Sequence, residues 1–199
     1  MKPDASVRKE YLEAFAKVVQ AVASKVANAD ARSLPVKMYV AGGAALYLLT
    51  GSRPSEDIDA TFSRRLILGE DLEVAYRDAD GRARILYLDR NYNDTLGLMH
   101  EDAYEDSVPA AIPGVDPALV EVRILAPLDL AVSKIARFSE QDRADIELLA
   151  RTGRIDAKSL RRRAEEALGG YEGDLESART SIDLAYRIAE DAARRRRKH

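Results

Sequence analysis

Val40-Ala-Gly-Gly-Ala-Ala-Leu-Tyr-Leu-Leu-Thr-Gly-Ser-Arg-Pro-Ser-Glu-Asp-Ile-Asp-Ala-Thr-Phe62 is the stretch that decides the fold of this chain. An apolar strand runs into Gly42-Gly43, a short helix follows, and a second strand carries Asp57 and Asp59. Residues two apart on a strand point to the same face, so the two carboxylates converge. Anionic oxygens held side by side repel each other unless a cation or a shared proton sits between them. Asp57 and Asp59 are therefore the candidate metal ligands, for Mg2+ or Mn2+. Gly42 and Gly43 would offer bare backbone N–H groups to a phosphate at a helix start, where the dipole also favours an anion. Ser52 and Arg53, just before the carboxylates, are further candidates for phosphate contact.

Around this stretch the chain alternates short strands with turns, then becomes helical. Tyr11, Phe15, Val18, Val22 and Val26 form one apolar stripe, which predicts a helix over 5–29. Strands are expected at 37–41, 57–62, 71–77, 83–89 and 119–125, with a hairpin turning at Asp80-Gly81. Arg90 to Pro113 is less regular, with Leu96, Leu98 and Met99 candidates for a helical turn. Pro127 suits a first helical turn and opens a helix through Phe138. Ser139 or Glu140 starts the next, which ends near Gly153, and Asp156 caps another through Leu168. Gly169 to Gly173 reads as a linker, and a last helix runs from about Asp174 to Arg194. Its candidate buried positions are Leu175, Ile182, Leu184, Tyr186 and Ile188. The expected class is α+β, a small mixed sheet flanked by helices, with a core over 1–125 and a helical region over 126–199.

Composition removes several alternatives. The chain has 199 residues and a formal net charge of -3, which gives no global affinity for nucleic acid. It has no cysteine, so disulfides and thiolate metal sites are excluded. No apolar run approaches the roughly 20 residues of a membrane span, and Met1-Lys-Pro-Asp-Ala-Ser lacks a signal-peptide core. A soluble cytoplasmic protein with no membrane partner is expected. The phosphate-loop, dinucleotide, nucleophile-elbow and zinc-helix motifs are all missing, and two histidines leave little material for a triad. Arg194-Arg-Arg-Arg-Lys-His199 suits either phosphate contact or the negative end of a helix. Arg161, Arg162 and Arg163 sit among Glu165 and Glu166 as a solvated face, and His100, without a metal-spaced partner, reads as structural.

A glycine pair, a helical turn and then Asp-x-Asp on a strand resembles the signature of the DNA polymerase beta-type nucleotidyltransferase superfamily. Two further blocks add to the resemblance, the first of them to its AbiEii-like branch, which includes toxins of toxin-antitoxin systems. One is Val122-Arg-Ile-Leu-Ala-Pro-Leu-Asp-Leu-Ala-Val-Ser-Lys-Ile-Ala-Arg-Phe138, followed by Asp142-Arg-Ala-Asp-Ile-Glu-Leu-Leu149. The other, Tyr87-Leu-Asp-Arg-Asn-Tyr-Asn-Asp-Thr95, is similar to a subgroup known only as nucleotidyltransferases. The resemblance implies Mg2+-dependent transfer of NMP from a nucleoside triphosphate to a hydroxyl on RNA, protein or a small molecule. It makes Lys134 a phosphate-binding candidate and Asp145 a second catalytic candidate, with Asp142 beside it. Ordinary alternatives are a snorkelling lysine and an acidic helix start. Asp142 and Asp145 could also position Lys134. The candidates for the third carboxylate usual in the superfamily are Asp89 and Glu121, and the alternative is a site that operates without a third acid. A toxin role would imply tRNA as acceptor and an antitoxin partner. A non-catalytic nucleotide-sensing or partner-binding module on the same fold is the alternative.

Overall fold

The computed structural model of the chain describes residues 1–69, 72–93 and 97–197. Leu96, the last two residues of the Tyr87–Thr95 block, the first residue of the strand expected at 71–77 and the final two of the basic tail lie outside them. The chain divides into two compact units, Met1–Tyr92 with Ser107–Ile124, and Asn93–Asp106 with Leu125–His199.

The first unit is a sheet with two helices. Its strands among the described residues are β1 (Val36–Val40), β2 (Asp57–Phe62), β3 (Glu73–Arg77), β4 (Ala83–Asp89), β5 (Val108–Pro109) and β6 (Val120–Ile124), in spatial order β3-β4-β2-β1-β6-β5. The sheet is mixed. β1 runs antiparallel to β2 and parallel to β6, while β2 and β4 are parallel. The hairpin β3–β4 turns at Gly81, whose φ of +77° suits glycine. Asp78 holds the turn by accepting from the amides of Asp80 and Arg82 and pairing with Arg84 at 3.0 Å.

Strand alternation sorts the sheet into two chemically different faces. Val40, Ala60 and Ile124 are neighbours in register, as are Ile58 and Leu88, and all are buried. This face is covered by α1 (Lys9–Val26), which packs on β3, β4 and β6, and by α2 (Gly42–Thr50), which packs on β2. The α1 stripe of Tyr11, Phe15, Val18, Val22 and Val26 is buried as its periodicity requires. The helix is shorter than expected at both ends. Asp4 and Ser6 form a turn before it, and the chain bends after Val26. The other face presents Asp57, Asp59, Tyr87 and Asp89.

The second unit contains α3 (Pro127–Ser133), α4 (Glu140–Arg151), α5 (Ala157–Ala167) and α6 (Leu175–Arg196). The helix opened by Pro127 stops at Ser133 instead of reaching Phe138. Its next amides tighten onto carbonyls three residues back, and Phe138 turns to φ +48° so that Ser139 can cap α4. The cap is reciprocal, with Ser139 Oγ accepting from the Asp142 amide while the Asp142 carboxylate accepts from the Ser139 amide. Leu98 and Met99 are not helical, and Leu98 is buried in irregular chain. On α6 the expected buried set is corrected. Ile182 is buried, but the seam against α4 and α5 is otherwise Ala178, Ser181, Ala185, Ala189 and Ala192. Leu175 and Leu184 are 45% and 41% exposed, and Tyr186 and Ile188 are half-buried.

Candidate functional site

The two halves of the opening stretch meet at the start of α2. The Ala41 amide donates to the Asp59 carbonyl at 2.9 Å, which ties the end of β1 to β2. Gly42 follows with φ +57°, a left-handed conformation that disfavours any side chain. A Cβ at Gly42 would lie 1.8 Å from Asp59 Oδ2 and 2.7 Å from its Cγ. The Asp59 carboxylate thus rests on bare backbone at a helix start. Gly43 makes the equivalent approach to Ser55, where a Cβ would lie 2.6 Å from Oγ. Ser55 is 9% exposed, and its hydroxyl donates to Asp57 Oδ1. Each glycine therefore leaves room for a group that is, or directly orients, one of the two acids.

Register supplies the next neighbours. Asp57 lies beside Tyr87 and Asp59 beside Asp89 on the parallel strand β4. In a parallel pair, registered residues share a face about 4.8 Å apart. The Tyr87 phenol is pushed up first by the Asp57 carboxylate, then by partial burial, then by Asp89. Burial pushes the Tyr11 phenol up as well, with smaller contributions from Tyr76, Tyr47 and Asp57. Glu121 is placed differently. It registers with Lys37 on β1, pairs with Arg123 at 2.6 Å, and lies level with Ser63, four residues along from Asp59.

The donor set fits a hard divalent cation. Asp57 and Asp59 offer carboxylate oxygens on one face of one strand. Among the described residues no group of three or more His, Asp or Glu could hold a metal by itself. Mg2+ asks for no such cage, since it takes one or two carboxylates and completes its octahedron with phosphate oxygens and water.

Lys134 and Asp145 meet each other in the second unit. Lys134 is 6% exposed, with Nζ 2.7 Å from Asp145 Oδ2 and 3.8 Å from Asp142 Oδ1. Burial would raise the Asp142 carboxyl. The two-pronged Arg137 guanidinium and the Ser139 hydroxyl and amide override it and hold the carboxyl at about 2. The lysine is a buried ion-pair member and not a snorkelling surface residue. The acids position it, one of the roles the spacing allowed.

A family model described as a nucleotidyltransferase of unknown function (DUF6036) matches residues 16–194. The chain belongs to this family. No curated protein and no solved structure matches it significantly.

Two other candidates of this nucleotidyltransferase-family chain stand apart from the glycine pair within the first unit. Ser52 and Arg53 follow the C-terminal end of α2, whose nine residues span about 12 Å. Ser52 Oγ accepts from Thr50 Oγ1 at 3.0 Å, at the negative end of the helix dipole. Of the basic tail, Arg194 pairs with Glu190, Arg195 with Glu147, and the Arg196 guanidinium covers Gly153 just after α4. His100 lies between Asp102 and Glu166. No helix among the described residues is long and apolar enough to cross a membrane. Sequence reasoning missed Ser55 and Tyr87 as neighbours of the acids. A serine two residues before Asp57, on the same side of an extended chain, was the available signal for the first. Nothing in the sequence signalled the second, because its partner depends on register.

Proposed function

We propose that this chain transfers a nucleoside monophosphate from a nucleoside triphosphate to a hydroxyl acceptor, in an Mg2+-dependent reaction. The observation that supports it best is the Asp59 carboxylate resting on Gly42, since it joins an anion-binding backbone turn to a metal-binding carboxylate pair. Asp57 and Asp59 would hold Mg2+, which neutralises triphosphate charge when bound. The amides of Gly42 and Gly43 bind phosphate oxygens. Ser55 fixes the rotamer of Asp57. An acceptor hydroxyl oxygen attacks the α-phosphorus in line, its proton passes to Asp89, and the bond to the leaving pyrophosphate breaks. Asp89 is thus the third carboxylate of the proposed site. Lys134 and Asp145 enter the reaction only through the resemblance to the AbiEii-like branch, as do a toxin role, tRNA as acceptor and an antitoxin partner. Growth arrest on expression without the neighbouring gene tests the toxin role.

A second reading is a nucleotide-sensing or partner-binding module without turnover. The Asp89 carboxylate already accepts from the Asn91 amide at 2.8 Å, a turn-holding role that needs no catalysis and favours it.

Thermal unfolding with each of the four NTPs, with and without Mg2+, separates binding from none, because a ligand of the native state raises the midpoint. Labelled transfer with the NTP so identified then separates the two readings. The expected result is a Mg2+-dependent shift, lost in Asp57→Ala/Asp59→Ala, and transfer lost in either single variant. A folded Asp59→Ala protein with undiminished transfer refutes the assignment.

A further inference from the structure

Pairing between β2 and β4 ends at Asp59 and Asp89, although β2 continues to Phe62. The edge of β2 left beyond that point borders a cavity of about 500 Å3. Its walls include Thr61, Arg64, Arg65, Asp89, Arg90 and Tyr92. Among the described residues its lining carries three arginines against one aspartate. The Nε of Arg64 is buried and has no hydrogen-bond partner, a donor that costs free energy until an acceptor reaches it. Ile67, on the same wall, is 94% exposed. Cations interleaved with an aromatic and an exposed apolar side chain suit a single-stranded nucleic acid, whose phosphates need charge and whose bases need flat apolar contact.

The placement relative to the carboxylates distinguishes acceptor from donor. Gly42 continues from β1, on one side of Asp59, and Asp89 with the arginine-lined cavity is on the other side, toward β4. In-line displacement at phosphorus requires the attacking oxygen and the leaving group on opposite sides. A triphosphate held at Gly42 therefore leaves the cavity to the acceptor. Building on the nucleotidyl-transfer reading, we infer that Arg64, Arg65 and Arg90 form a phosphodiester-binding subsite. It would hold the end of a single-stranded nucleic acid so that its terminal hydroxyl meets Asp89.

The test is fluorescence anisotropy with a labelled single-stranded RNA of about ten nucleotides, titrated at several salt concentrations on the full chain. Mg2+·NTP thermal shifts are measured on the same proteins. For Arg64→Gln/Arg65→Gln, RNA affinity should fall about tenfold or more, and the log–log salt slope should become shallower by about 1.4, or about 0.7 for each lost contact. The Mg2+·NTP shift should stay at its wild-type value. If the double variant does not fold, exposed Arg65→Gln alone should show half the change in slope. Unchanged RNA binding in a folded variant overturns the subsite. An equal loss of the Mg2+·NTP shift overturns its assignment to the acceptor, because the arginines then hold the donor triphosphate. A wild-type protein that binds RNA through these arginines but shows no Mg2+·NTP shift overturns the acceptor role together with the transfer reading. Loss of the NTP shift confined to Asp57→Ala/Asp59→Ala, with RNA binding indifferent to the arginines, removes the subsite and leaves the transfer reading standing.

Discussion

Replacing Gly42 by alanine adds one methyl group at the point where the two halves of the site touch. Two costs arise. The left-handed backbone at φ +57° costs a non-glycine residue about 1–2 kcal/mol. The new Cβ would also sit 1.8 Å from Asp59 Oδ2, far inside contact distance, so the carboxylate must leave its position. Overpacking of this kind costs about 1–3 kcal/mol. Together they predict a loss of about 2–5 kcal/mol in urea unfolding, from a domain stability typically of about 5–15 kcal/mol, so the variant should still fold. Its Mg2+·NTP thermal shift should vanish, because the displaced carboxylate is a proposed metal ligand. A double-mutant cycle isolates the steric part. Asp59→Ala removes Oδ2 and Cγ and leaves only its Cβ, 3.1 Å from the new methyl. In that background Gly42→Ala should cost only the backbone term, giving a coupling of about 1–3 kcal/mol. Additivity within about 0.5 kcal/mol, or a Gly42→Ala protein with wild-type stability and nucleotide shift, would refute the contact.

Three other outcomes follow from the same geometry. Asp142 has its carboxyl lowered from 3.8 to about 2 in the folded chain, so its contribution is present above the unfolded value and lost as pH falls through the folded one. That contribution is about 2–3 kcal/mol. Urea unfolding between pH 5 and pH 2 should show this loss in wild type and a flatter acid limb in Asp142→Asn; parallel profiles would contradict it. Lys134→Met removes the ammonium 2.7 Å from the buried Asp145 carboxylate and should cost about 3–5 kcal/mol, much of it recovered in Lys134→Met/Asp145→Asn, as equilibrium unfolding would show. Ser55→Ala removes the hydroxyl bonded to Asp57. It should lower stability by about 1–2 kcal/mol and raise the Mg2+ concentration needed for the nucleotide shift, and an unchanged Mg2+ dependence would count against an orienting role.

Much of the first unit was legible because its signals are local. The strands expected at 57–62 and 83–89 match β2 and β4 at both ends, and Asp80-Gly81 marked the hairpin turn. The pairing of Gly42 with Asp59 was legible only as spacing along the chain. That one carboxylate occupies the volume of the missing side chain depends on how β1 and β2 align. The choice between Asp89 and Glu121 was beyond any local pattern, since both are acids on short strands. Strand order decides their surroundings, putting Asp89 next to Asp59 and leaving β1 between Glu121 and β2. Lys134 was ambiguous for a related reason. A lysine among apolar residues reads alike on the surface and in a buried ion pair until the acids of the next helix are folded back upon it.

The alanine seam of α6 reverses the usual relation between side-chain size and tolerance to substitution. Helices meet closely where their contact residues are small, and Ala185 and Ala189 are fully buried. A larger residue at either position would have to wedge neighbouring helices apart. Leu184 and Leu175, the bulky neighbours that project outward, could become polar with changes within about 0.5 kcal/mol. In a saturation screen of this helix, the methyl-sized positions should be the selective ones and the leucines the permissive ones.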